Sequence, residues 1–147
     1  MKLLFDANIV LDVLMDRKPF ADSASALFAA AEEDAIKSYL CGTTLTTVYY
    51  IVSKAMGPET AKDAIKKLLT IFEVAPVNRA VIEKAMASEF KDFENAVLYA
   101  SACHSGVDAI VTRNEGDFSK ADIPIYSPIH AEKIVTEILI KVEKEGE

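Results

Sequence analysis

Lys2-Leu3-Leu4-Phe5-Asp6-Ala7-Asn8 decides how this 147-residue chain is read. A short apolar run stopped by an Asp-Ala-Asn group reads as a buried β-strand passing into a turn. Ile9, Val10, Val13 and Leu14 then recur along one helix face, so the strand leads straight into a helix. A carboxylate at the end of an apolar strand is poorly hydrated unless a cation or hydrogen-bond donors compensate it. Asp6 is therefore read first as a site residue, with capping of the helical turn from Asn8 onward as the alternative.

The alternation of strand and helix continues outward from this point. Residues 16–20 form a polar loop, and Asp22-Ser23 are expected to cap a helix carrying Ala24, Leu27, Phe28 and Ala31. Residues 38–41 read as a second strand. Gly42-Thr43-Thr44 open a helix to about residue 55, and Gly57-Pro58-Glu59 end it and start another that reaches about Phe72. Residues 72–76 form a short strand, Asn78 caps a helix to about Glu89, and Asp92 caps one that Gly106 stops in a left-handed turn. Strands over residues 109–112 and 124–126 follow, and Ser127-Pro128 open a closing helix whose end, residues 141–147, is expected to fray. Parallel neighbours need crossover helices, so the order implies an α/β fold: a parallel sheet of about five short strands with helices on both faces. Residues 1–147 read as one domain.

Composition narrows the function classes. Hydrophobic residues make up 51% of the chain, enough for one core, and Leu3-Leu4-Phe5 is far shorter than the ~20 apolar residues of a membrane span. The expectation is a cytoplasmic protein without membrane contact. Sixteen Lys and Arg against 23 Asp and Glu leave a net charge of −7, so any contact with nucleic acid must be local. Cys41 and Cys103 lack metal or redox spacing and read as small apolar residues.

Ligands of open parallel sheets bind beyond the carboxyl ends of the strands. That edge gathers Asp6 with the segment Thr112-Arg113-Asn114-Glu115-Gly116-Asp117-Phe118, and the helix start at Asp92, Glu94 and Asn95 faces the same cleft. Clustered oxygen ligands suit Mg²⁺ or Mn²⁺, with waters and substrate phosphate completing the octahedron. Such an ion polarises phosphate and activates water. Asp92 has a plainer reading as a helix cap, and residues 114–117 as a solvated turn.

Asp6-Ala-Asn-Ile-Val-Leu-Asp12, Arg17-Lys-Pro-Phe20, Asp92-Phe-Glu-Asn-Ala96 and Thr112-Arg-Asn-Glu-Gly-Asp117-Phe118, in that order, resemble the PIN domain family, including VapC-like toxins. The resemblance implies a metal-dependent ribonuclease whose acidic residues hold Mg²⁺ or Mn²⁺. It places the first acidic ligand on Asp6 and a late pair on Asn114 and Asp117. An acid expected in the third helix falls on Thr47, and one expected in the Asp-Phe-Glu-Asp-Ala pattern falls on Asn95. The matched positions thus retain two carboxylates, Asp6 and Asp117, to hold the metal, and Asn95, Asn114 and Thr47 would complete the catalytic set.

Asp92 and Glu94 are auxiliary acids beside it, with Asp12 and Glu115 nearby. Successive helical side chains diverge by about 100°, which argues against Glu94 simply replacing Asn95. Arg17, Lys18 and Arg113 are the local candidates for phosphate contact, and Tyr49 and Tyr50 for base stacking, with core packing the plainer role for Tyr49. The resemblance further implies RNA as substrate, an antitoxin protein as partner and self-association as a homodimer. The depleted acids support an alternative, a degenerate PIN-like domain that binds RNA or a protein partner without efficient cleavage. An aspartyl-phosphate enzyme is a weaker alternative, because Asp6-Ala7-Asn8 lacks a second Asp.

Overall fold

Lys2–Phe5 forms strand β1, and Asp6 caps helix α1 over Ala7–Leu14. In this computed structural model, which describes residues 1–146, the chain continues as α2 (Ala21–Glu32), β2 (Lys37–Cys41), α3 (Gly42–Met56) and α4 (Pro58–Ile71). Then come β3 (Glu73–Ala75), α5 (Arg79–Ala87), α6 (Phe93–His104) and β4 (Ala109–Val111). A 3-10 turn at Glu115–Phe118, β5 (Ile125–Tyr126) and α7 (Pro128–Glu145) complete it. Gly57 separates α3 from α4 at φ 93°, a left-handed value that a side chain would oppose, and Pro58 opens α4.

The five strands are all parallel, in the order β3-β2-β1-β4-β5. β1 is central: Leu3 pairs with Ser38 on one side and Ala109 on the other, and Leu4 with Tyr39 and Ile110. Successive side chains point to opposite faces. Leu3 and Phe5 therefore pack with Ile9, Leu27, Val48, Leu68 and Val135 of α1, α2, α3, α4 and α7. Leu4 and Ile110 pack with Leu98, Tyr99 and Ala102 of α6 and with Phe118 on the other face. α5 lies outside α6, joined through Val81, Ala85, Ala96, Val97 and Ala100. Covered faces make the three inner strands β1, β2 and β4 runs of buried residues, which is why their apolar stretches lack alternation, whereas the edge strands β3 and β5 are partly open.

Two local expectations are corrected. Helix α2 begins at Ala21 after Phe20 with no side-chain cap, and Asp22 sits inside its first turn. There its charge suits the helix N-terminus, and Lys18 Nζ lies 3.6 Å from its carboxylate. Helix α7 continues to Glu145 instead of loosening from Lys141, consistent with the helix-forming Lys and Glu residues of its last turns. Glu147, also in that expectation, lies outside the described residues. Among the described residues no helix is long and apolar enough to cross a membrane.

Ser38 Oγ on β2 is buried and has no hydrogen-bond partner among the described residues. Its hydroxyl was desolvated on folding without compensation. Ser38→Ala is expected to leave Tm unchanged or to raise it by the equivalent of ~1 kcal/mol. Ile110→Ala on the same sheet, by contrast, opens a core cavity and should cost about 2–5 kcal/mol in denaturant unfolding.

Candidate active site at the carboxyl edge of the sheet

Asp6 stands where β1 ends, its backbone N–H still bonded to the Val111 carbonyl at 2.9 Å. Asp6 Oδ1 accepts the Ala7 N–H at 2.7 Å, while Oδ2 accepts the Thr112 hydroxyl at 2.8 Å and the Asn8 amide at 3.2 Å. It is thus a helix cap and a strand-end carboxylate at once. Burial raises its pKa above the ordinary range; the Thr112 and Ala7 hydrogen bonds oppose that rise, and the nearby Glu94 charge adds to it. Thr112 Oγ also accepts the Asn114 N–H at 3.0 Å, which folds the segment after β4 back toward Asp6.

The loop is anchored by a residue that the sequence reading treated as a spare acid. Asp12 is 0% exposed, and Arg113 grips it with two bonds: Nε to Oδ2 at 2.7 Å and Nη2 to Oδ1 at 3.1 Å. Arg17 approaches the same carboxylate at 3.9 Å. The Arg113 guanidinium also lies 3.9 Å from the Phe20 ring centre. Arg113 and, more loosely, Arg17 are therefore partnered inside the fold. Lys18 is exposed between Asp16 and Asp22, which raise its pKa. An acid on a helix whose neighbours Ile9, Val10 and Leu11 are all buried, matched by an Arg directly after an apolar strand, was the available signal for the Asp12–Arg113 pair.

The remaining candidates fall into two groups. Thr47 on α3 donates its hydroxyl to Glu94 Oε1 on α6 at 3.3 Å, and Glu94 is close enough to act on the charge of Asp6. Asn95 instead lines a cleft of about 220 Å³ with Asp117, Asp92, Lys91 and Lys120. The two side chains diverge, as helical geometry requires: Glu94 points to Thr47 on α3 and Asn95 into the cleft. Asp92 accepts the Asn95 N–H at 2.9 Å and so serves as the cap of α6. Asn114 precedes the 3-10 turn, its carbonyl bonded to the Asp117 N–H, and Asp117 is exposed. Tyr49 packs against the core, whereas Tyr50 is exposed beside Lys54.

Among the described residues no three acidic, His or Cys side chains converge as a ready metal cage. The oxygens gathered at Asp6 are nonetheless hard ones: its own carboxylate and the Thr112 hydroxyl bonded to it. Mg²⁺ commonly uses one or two carboxylates and takes the rest of its shell from water and substrate phosphate. The donor set fits an ion of that kind.

A parallel sheet with an acid at the end of its central strand, bonded to the loop after β4, agrees with the class that the sequence defines: the chain belongs to the PIN domain family, whose model matches residues 2–116. It is 29% identical over 132 residues to Ribonuclease VapC1 of Aquifex aeolicus (strain VF5), covering 84% of this chain and 88% of that protein. In fold it is similar to DNA-bound VapBC from Salmonella typhimurium, with a TM-score of 0.67, 16% identity and coverage of 87% and 98% of the two chains. A toxin-antitoxin complex from Klebsiella pneumoniae gives a TM-score of 0.65 at 23% identity, covering 86% of this chain and 97% of that one.

Removing Arg113 strands a buried charge, so Arg113→Ala should cost about 3–5 kcal/mol in denaturant unfolding. A second expectation concerns pH. With the Asp6 pKa raised from 3.8, the folded chain binds that proton more tightly than the unfolded chain, so this group's contribution to stability falls as pH rises from 3.8 through the raised value. Asp6→Asn carries no charge to desolvate and should gain in Tm relative to wild type across that interval, measured at pH steps in EDTA. A constant Tm difference between the two proteins would contradict this.

Proposed function

We propose that this chain is a Mg²⁺- or Mn²⁺-dependent endoribonuclease that hydrolyses RNA phosphodiesters and acts in the cytoplasm as the toxin of a toxin-antitoxin pair. The observation that carries the reading is the desolvated Asp6 carboxylate at the end of the central strand of a PIN domain. A carboxylate kept there at the expense of hydration is one that a cation would stabilise. When bound, a divalent ion polarises phosphate and makes water a stronger nucleophile.

The chain's own residues supply the rest. Thr112 and Asn8 orient the Asp6 carboxylate, fixing the direction in which its remaining lone pairs point. Asp117 and Asn95 line the cleft, Asn114 starts the turn that carries Asp117, and the three would orient the strand and the attacking water. Lys91 in that cleft offers charge to phosphates that the paired Arg113 does not, and Lys120, 3.8 Å from the Glu89 carboxylate on the exposed surface, stands beside it. The antitoxin partner is supported by the relatives' assemblies, and a homodimer is part of the same reading. The alternative, a domain that binds RNA with little cleavage, is favoured by the neutral Thr47 and Asn95.

The test is cleavage of single-stranded RNA in Mn²⁺ and in EDTA. Wild type should cut only with metal, and Asp6→Ala should lower the rate by at least a hundredfold while remaining folded. Equal rates for the two proteins would remove Asp6 from the site. RNA binding without Mn²⁺-dependent cleavage by wild type would instead favour the alternative.

A further inference from the structure

A cavity of about 360 Å³ opens between the end of α5, the flank of α6 and the segment after the 3-10 turn. Its floor is the buried Ala96, Tyr99 and Ala100 with the half-buried Phe90, and its rim carries the exposed Lys84, Glu89, Lys120 and Asp122. It shares Glu89, Phe90 and Lys120 with the cleft of Asn95 and Asp117, so the two hollows adjoin. We propose that this cavity is a nucleotide subsite: an RNA strand in the Asp117 cleft continues past Lys120 and places one unpaired base on the Phe90–Tyr99 floor, its phosphates toward Lys84 and Lys120. The inference rests on the reading that the Asp117 cleft receives RNA.

The floor is aromatic and fixed in advance. The Phe90 and Tyr99 rings lie 5.0 Å apart, and Phe90 also meets the edge of the buried Phe118 at 5.9 Å. The Tyr99 hydroxyl accepts the Asp122 N–H at 3.2 Å, which ties the floor to the opposite wall. A base that packs on rings already held in place forfeits little ordering entropy, and such platforms accept any base. The volume falls at the lower end of the roughly 300–1,000 Å³ of small-ligand sites, a fit for one nucleotide-sized group.

The rim determines which part of the nucleotide enters. An apolar floor is a costly place for a phosphate and a favourable one for a base, so the backbone stays at the mouth. There Lys84 Nζ stands 5.9 Å from the Tyr99 ring centre, and Lys120 Nζ lies 3.8 Å from the Glu89 carboxylate. The Glu89–Lys120 pair joins the two walls where the hollows adjoin. An exposed ion pair of this kind is weak, so a phosphate passing from one hollow to the other can take Lys120 from Glu89.

The test uses the full chain and a labelled single-stranded RNA carrying 4-thiouridine, in EDTA so that the strand stays whole. Irradiation should crosslink the RNA to the peptides that carry Phe90 or Tyr99. Ala87→Trp fills the cavity from the exposed end of α5; it should remove that crosslink and weaken binding, read by fluorescence anisotropy, about fivefold or more. Lys84→Ala should weaken binding about threefold or more, whereas Lys62→Ala on α4 should not, with Tm as the folding control for each variant. The wild-type crosslink is read independently of whether Ala87→Trp folds. RNA binding with no crosslink at Phe90 or Tyr99 overturns the subsite and leaves the Asp117 cleft reading standing, as does unchanged affinity in a folded Ala87→Trp. Absence of RNA binding by wild type, in EDTA and in Ca²⁺, overturns both.

Discussion

A carboxylate with no exposure to water has to be matched, and in this fold Asp12 is matched by Arg113. The pair joins α1 to the loop after β4, two segments that follow neighbouring strands of the sheet. With the guanidinium held, the adjoining Thr112 hydroxyl is fixed against Asp6 and the loop turns back through Asn114. A buried ion pair is poor evidence for stability, because desolvation offsets most of the attraction. Its value here is geometric: it dictates one conformation for a loop that would otherwise have several.

Asp6 carries two demands that pull in different directions. As the cap of α1 it uses Oδ1, in the favourable field of a helix N-terminus. As a site group it is pressed by burial and by Glu94 toward the neutral form. The hydrogen bonds from Thr112, Asn8 and Ala7 keep it ordered without making it comfortable. Functional carboxylates are commonly held in such compromised surroundings, where the fold bears a cost that ligand binding relieves.

The fold was legible in the sequence because its signals are local. Apolar runs ending in polar groups marked the strands, and Asn78, Asp92 and Ser127 each accept the N–H that their cap pattern predicts. The Asp22 cap failed because α2 already begins at Ala21, which puts Phe20 in the cap position without any side-chain bond and Asp22 inside the first turn. The site was legible only along single segments. Asp6 stood out from its own strand, but the Asp12–Arg113 pair spans 101 residues and the Thr47–Glu94 contact spans 47, so neither has a local signature. The divergence of Glu94 from Asn95 was foreseeable from helical geometry; which of them meets Thr47 and which enters the Asp117 cleft depends on how α6 is rotated against the sheet, and that is set by the packing of Leu98, Tyr99 and Ala102.

The Thr112 hydroxyl reaches Asp6 from 106 positions further along the chain. Strand β1 is made before both of its neighbours, yet it sits at the centre of the sheet and waits for β2 on one side and β4 on the other. Long-range parallel pairing of this kind comes late in folding. The partly synthesised chain therefore exposes a strand without its neighbours and an acid without its shell. Whatever chemistry the edge of the sheet performs is withheld from the ribosome-bound chain until β4 and the loop beyond it have emerged.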